Sequence, residues 1–375
     1  MKRGLDIVGV LAVCLMIVTG CGMGGDEQPI EDTPGDEPVD EQQGDAEDTD
    51  FTVGMVTDVG GIDDKSFNQS AWEGLTEFGE EFGLEQGTGY RYVQSSDIAD
   101  FEPNIRNLVR ENVDLAWGIG FLMNDAIKAV AEQNEDAQLA IVDSVVTDDN
   151  DDPIDNVANV MFKEHEGSFL VGVAAGLQTE TDRVGFVGGV ESGLIKKFEN
   201  GFKAGVKAVN PDAEITVQYA ESFNDDTIGA QIANTMYSQG ADIIYHAAGA
   251  TGYGVFNEAI NRVRNGEDVW VIGVDRDQHE EGIYEGDQSV TLTSMVKRVD
   301  RAVYLVSEQT MNGDFPGGEI LEYGLDDEAV GIAPTTDNMS EEALDEIEDY
   351  IEDILEGDID VPETDDEYEE YVDSL

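Results

Sequence analysis

Apolar positions in this chain fall into two alternating patterns: short unbroken runs, and longer stretches in which an apolar residue returns every third or fourth place. The runs read as strands: FTVGMV, YRYVQ, VDLAWGIG, QLAIVD and NVANVMF, then RVGFVGG, EITVQYA, ADIIYHAAG, DVWVIGVD and SVTLTS. The periodic stretches read as helices over Ser66–Phe82, Asn124–Glu135, His165–Leu177, Leu194–Val209, Thr227–Gln239 and Val296–Met311. This alternation predicts an α/β fold of βαβ units, with parallel sheets covered on both faces. About ten strands is too many for an ordinary sheet, so two lobes of about five strands each are expected. The polar run DDNDDPID, Asp148–Asp155, marks the expected first break. Further on, SEEALDEIEDYIEDILEGDI sets Leu344, Ile347, Ile351, Ile354 and Leu355 on one helical face, with Ser340 as N-cap and Gly357 as stop. The last residues, TDDEYEEYVDSL, read as frayed.

The N-terminus breaks the rhythm. Lys2 and Arg3 precede an apolar run from Ile7 to Val18, too short to span a bilayer but suited to a secretion signal. The run ends in Val18-Thr19-Gly20-Cys21, which resembles a lipoprotein signal whose cysteine becomes the lipid-bearing first residue. Residues 1–20 are therefore expected to be a signal peptide and Cys21 the lipidation site. The other cysteine, Cys14, lies in the segment to be removed, so no disulfide is expected. Lys2-Arg3 also fits a twin-arginine-type pair, which leaves the export route open. Residues 21–50 are acidic, rich in Gly, Pro and Gln and nearly free of apolar residues, as befits a solvated tether.

Charge narrows the partners. Against 84 Asp plus Glu stand 19 Lys plus Arg, a formal net charge of -65 spread along the chain. Nucleic acid is not an expected partner, because binding it needs surplus cations to displace counterions. So much like charge is tolerable where salt screens it, which points to a halophile.

The stretch TDVGGIDDKSFNQSAWEGL, residues 57–75, raises the question of chemistry. Asp58, Asp63 and Asp64 approach the D-x-D-x-G-x-D-D run of calcium-dependent nucleoside hydrolases, but Val56 sits where the first aspartate belongs and an extra glycine lengthens the loop. Losing a ligand from a cation that takes six to eight oxygens weakens that reading. His165, His246 and His279 show no metal-binding spacing and no G-x-S-x-G elbow is present. The same stretch resembles the first signature of the basic membrane protein family of lipoproteins. GIGFLMNDAI, VGFVGGVESGLIKKFENGFKAGVKAVNP, AAGATGYGVFNEA, VIGVDRDQ and LTSMVKRVDRAV resemble its later blocks, in order, over about residues 51 to 335.

That resemblance implies a type I periplasmic-binding fold: two Rossmann-like lobes joined by three crossings, with ligand in the cleft. One lobe would comprise 51–160 plus 277–313, the other 161–276 plus 314–375. It implies a lipid-anchored, extracytoplasmic, monomeric substrate-binding protein of an ABC transporter, not an enzyme, that takes a purine nucleoside and hands it to a permease, with no cofactor or metal. Ligands of open parallel sheets lie beyond the carboxyl ends of strands. Asp58, Asp143 and Asp275 all end predicted strands, although Asp143 could equally cap a helix. On the family pattern Asp58 would accept from the base edge, Phe67 would stack on the base and Asn68 would pair with its polar edge. Phe223, or else Phe198, would close the sandwich from the other lobe. Gly249, in HAAGATGYG, would approach the sugar, and Asp275 and Lys297 would hold the ribose hydroxyls. A binding module for a sugar or signal that reports to a membrane sensor remains the other reading.

Overall fold

The structure, a computed structural model, describes residues 50–375. The expected signal peptide, Cys21 and most of the tether lie outside the described residues. From the N-terminal side the chain forms β1 (Val53–Thr57), α1 (Phe67–Glu81), β2 (Tyr90–Gln94), α2 (Phe101–Arg110), β3 (Leu115–Ile119), α3 (Asn124–Ala131), β4 (Leu139–Val142) and β5 (Val157–Phe162). It continues through α4 (Glu164–Gln178), β6 (Arg183–Gly188), α5 (Gly193–Val209), β7 (Glu214–Tyr219), α6 (Asp226–Ser238), β8 (Ile243–Ala247), α7 (Gly252–Arg264) and β9 (Trp270–Asp275). A small hairpin, β10 (Ile283–Glu285) and β11 (Gln288–Ser289), precedes β12 (Thr291–Lys297) and α8 (Val299–Met311). Last come β13 (Ile320–Tyr323), β14 (Val330–Ile332), α9 (Glu341–Glu356) and α10 (Asp365–Ser374).

Two six-stranded sheets result, in the orders β13-β5-β4-β3-β1-β2 and β14-β12-β9-β8-β6-β7. All neighbours run parallel except β14, which is antiparallel to β12. Central strands such as β1 and β3 are buried along their whole length, which is why they read as unbroken apolar runs. Helices close both faces, and the tightest packing is between α4 and α5. A Cβ on Gly172 would lie 2.3 Å from Phe202 O, and one on Gly205 would lie 2.0 Å from Phe169 O, so only glycine lets the two backbones touch.

Three connections pass between the lobes: Lys163, between β5 and α4; Arg298, between β12 and α8; and the segment from β13 to β14. The expected division placed 277–313 in the first lobe, but β12 pairs with β9 and belongs to the second sheet. Only from α8 onward does the chain return to the first lobe, where Asp300 O packs on Gly74 of α1 and β13 pairs with β5. The expected break at Asp148–Asp155 is a turn within the first lobe, closed by Asp148 Oδ1, which accepts from the N–H groups of Asn150 (2.7 Å) and Asp152 (3.1 Å). The proline and the acids mark a tight turn there, not a change of lobe.

The C-terminal end also differs from expectation. Ser340 caps α9 and Gly357 ends it with a positive φ of 77°, but TDDEYEEYVDSL is helical rather than frayed. Thr364 and Glu367 form a capping box at its start. Its acids face the lysines of α5: Lys196 Nζ lies 3.3 Å from Asp365, and Lys203 Nζ sits 4.0 Å over the Tyr368 ring.

Candidate ligand-binding site

The carboxyl ends of strands from both sheets face each other across a cavity of about 630 Å³ of atom-free space, mouth included. All nine residues named above as ligand contacts line it: Asp58, Phe67, Asn68 and Asp143 from the first lobe; Phe198, Phe223, Gly249, Asp275 and Lys297 from the second.

The loop after β1 is built around two carboxylates. Asp64 is a hydrogen-bond hub: Oδ1 accepts from Ser66 N (3.0 Å) and Gln69 N (3.0 Å), while Oδ2 accepts from Asn68 N (2.9 Å) and Asn68 Nδ2 (2.8 Å). It thereby satisfies the free N–H groups at the start of α1. Asn68 Nδ2 also donates to Asp58 Oδ1 (2.8 Å), and Asn68 Oδ1 accepts from Asp58 N (3.3 Å). Both N–H groups of the amide expected to pair with a ligand thus go to Asp58 and Asp64. Asp58 Oδ1 further accepts from Gly60 N (2.8 Å), which leaves Oδ2 without a hydrogen-bond partner among the described residues. Burial, reinforced by the charge of Asp64, pushes the Asp58 carboxyl up to about 6, against the hydrogen bonds from Gly60 and Asn68. Asp63 is exposed and does not converge with the other two. Among the described residues no group of three His, Cys, Asp or Glu is placed to hold a metal ion.

Across the cavity stands a buried charge cluster. Lys297, at the end of β12, is 1% exposed, and its Nζ lies 2.6 Å from Asp143 Oδ1 and 2.8 Å from Glu164 Oε1. Burial disfavours the ammonium, but Asp143, Glu164 and Asp275 together hold its pKa above the ordinary lysine value. Asp143 caps no helix; it and Asp275 end the fourth strand of their respective lobes, and both take a left-handed backbone, φ 66° and 65°. Asp275 accepts a very short hydrogen bond from Ser66 Oγ of the opposite lobe. Burial pushes its carboxyl up to about 6, while Lys297 and the Ser66 bond pull the other way. Of these contacts only the one to Asp143 is an aligned hydrogen bond, so Lys297 keeps two N–H groups beyond it.

Aromatic rings complete the lining. Lys297 Nζ lies 5.3 Å from the Phe67 ring centroid and 5.5 Å from that of Phe198. Phe198 is nearly buried, 3% exposed, whereas Phe223 is half-buried, with its ring against Gly189 and edge-on to Phe121 at 6.1 Å.

Residues 51–365 match the Bmp family, described as PnrA-like ABC transporter substrate-binding proteins. The chain belongs to that family. It is similar to a CD4+ T-cell-stimulating antigen of Listeria innocua, 50% identical over 94% of this chain and 98% of the relative. It is also similar to the ABC transporter nucleoside-binding protein BmpA of Lactococcus lactis, 41% identical over 84% of this chain and 90% of that one. Among solved structures, a solute-binding protein of an ABC transporter system from Aeropyrum pernix matches with a TM-score of 0.75 and 25% identity, over 86% of this chain and 98% of that one. The type I fold of solute-binding proteins is thus the fold of this Bmp-family chain.

Hydrogen bonds and an ion pair bridge the two lobes beside the cavity. Besides Ser66 and Asp275, Gln278 Nε2 donates to Lys65 O (3.0 Å), Asn224 Nδ2 to Val59 O (3.3 Å), and Arg276 pairs with Glu73 (2.7 Å). Gln278 is pinned from its own lobe: its Oε1 accepts from Val274 N (2.9 Å) and lies 3.1 Å from His246 Nε2. Burial holds His246 down to about 4, so it is neutral and donates through Nε2. Sequence reasoning missed Gln278, Phe121 and Glu164. Phe121 follows the end of β3 and was within reach of the same strand-end rule that found Asp58. Gln278 and Glu164 carry no local signal.

Proposed function

We propose that this protein binds a purine nucleoside between its lobes and delivers it to an ABC permease, held outside the cytoplasmic membrane by a lipid on Cys21. The observation that carries the reading is the chemistry of the lining. Asp58, Asp143 and Asp275 each engage the protein through one oxygen, while the one cationic group in the lining, Lys297, is already paired. A cavity of acceptors suits a donor-rich, uncharged ligand and repels phosphate. Hydroxyls of a ribose and N–H groups of a base supply such donors, and flat faces suit Phe67 and Phe223, with Phe223 preferred over the more deeply buried Phe198. Gly249, φ 53°, lets the backbone come close to the sugar. The name of the Lactococcus relative supports the same class.

The role is capture and release, not catalysis, and no metal or cofactor takes part. Isothermal calorimetry in high salt tests it: inosine should bind, inosine monophosphate should not. Phe67→Ala should weaken inosine binding by about 1–3 kcal/mol, the worth of one stacked ring. Unchanged affinity in that variant, or release of free hypoxanthine on incubation with calcium, would defeat the reading.

A further inference from the structure

The cavity rests on a second layer of charge. Glu164, the first residue of α4, lies outside the lining and is 0% exposed. Its Oε1 is 2.8 Å from Lys297 Nζ and its Oε2 is 3.9 Å from Lys197 Nζ, yet neither oxygen has an aligned hydrogen-bond donor. A carboxylate kept in the interior by charges alone is costly, and stability gives no reason to retain it. Asp64 illustrates the alternative, a buried carboxylate anchored by backbone N–H groups. Lys197 in turn reaches outward, 3.2 Å from Glu363 Oε2 ahead of α10, and donates to Phe162 O at 3.4 Å. Glu363, Lys197, Glu164, Lys297 and Asp143 form a line of alternating charge from the C-terminal segment, past the first crossing, into the cleft.

We propose that Glu164 is a positioning residue for ligand binding: it holds the Lys297 ammonium from behind, at its own strand end, with Lys197 on its far side. The reason lies in which lobe carries each partner. Asp143 ends β4 in the first lobe, whereas Glu164 opens α4 against the second. Opening the cleft separates Lys297 from Asp143 and leaves it beside Glu164. With Glu164 neutral, the flexible lysine would follow Asp143 or turn toward Asp275, and the open cleft would no longer present it in place. The inference rests on the nucleoside reading only for its probe.

The groups that face Asp275 are Asp64 before α1, Asp143 on β4, Glu164 on α4, Tyr245 on β8 and Lys297 on β12. Glu164 is a like charge that raises the proton affinity of Asp275. The test is calorimetry of inosine binding to the full chain in high salt, from pH 5 to pH 9, for Glu164→Gln and Lys197→Met. Glu164→Gln should bind about 3- to 30-fold more weakly with an undiminished melting temperature, and the acid limb of its binding curve should move to lower pH. Lys197→Met leaves Glu164 and its contact with Lys297 in place, so it should cost less affinity than Glu164→Gln; an equal or larger loss overturns the inference. Wild-type affinity in Glu164→Gln, or an affinity loss matched by a falling melting temperature, overturns the inference. If the wild type itself ignores inosine, the nucleoside reading fails by itself. The inference is then decided by the ¹³C carboxyl titration of Asp275 without ligand, which must move to lower pH in Glu164→Gln; an unmoved titration overturns it.

Discussion

Asp64 and Lys297 both sit buried at the edge of the same cavity, and they are held in opposite ways. Asp64 is anchored by backbone and amide N–H groups of its own loop, so its job is finished within a dozen residues of sequence. Lys297 is held by carboxylates from β4 and α4, more than a hundred residues away. The first arrangement makes a rigid ledge on one lobe. The second ties the lobes to each other. A local hydrogen-bond hub shapes a surface, and a long-range charge cluster makes that surface depend on how the lobes stand.

The largest effect should come from breaking the second. Lys297→Met leaves Asp143, Glu164 and Asp275 buried together without their shared cation, and should cost about 3–5 kcal/mol in denaturant unfolding, less at acid pH where the carboxylates can protonate. Asp64→Ala strips the start of α1 of its acceptor and should cost about 1–3 kcal/mol, with no such relief at low pH. If the two variants responded alike to pH, the contrast drawn between them would be wrong.

Solution pH separates the two regions of binding chemistry from stability. Asp58 and Asp275 are raised to about 6, above the ordinary carboxylate, so the folded protein takes up their protons before the unfolded chain does. Their contribution to stability therefore grows as pH falls from about 7 toward 4, while their value as acceptors fades. In high salt, melting temperature should rise as affinity for inosine drops across that range; parallel trends would show that neither aspartate meets the ligand. The smallest effect is expected at the rim, where Arg276→Ala removes an exposed pair with Glu73 and should change affinity by less than about 1 kcal/mol.

These differences also explain what could be read from the chain. Strand-helix alternation gave the elements because parallel strands buried on both faces leave an apolar run wherever they lie. Strand ends gave Asp58, Asp143 and Asp275 for the same reason. The lobe to which β12 belongs is decided by its pairing with β9, and no local pattern in TLTSMVK records that. Asn68 lines the cavity, and that its two N–H groups go to two aspartates is visible only once the folded loop brings those together. Glu164 is one acid among 84, and nothing nearby in the sequence marks it as buried. The helix at the C-terminus was hidden by its own acidity. The clue lay elsewhere, in the lysines gathered on α5 of a chain that has few.

The left-handed backbone shared by Asp143 and Asp275 has an evolutionary corollary. Besides aspartate, asparagine and glycine tolerate that conformation best, so natural drift at either place would travel most easily through asparagine. Such a replacement keeps the shape of the side chain and turns one of its acceptors into a donor. A single codon change would then alter the donor–acceptor pattern of the cavity wall while keeping the backbone turn that shapes it.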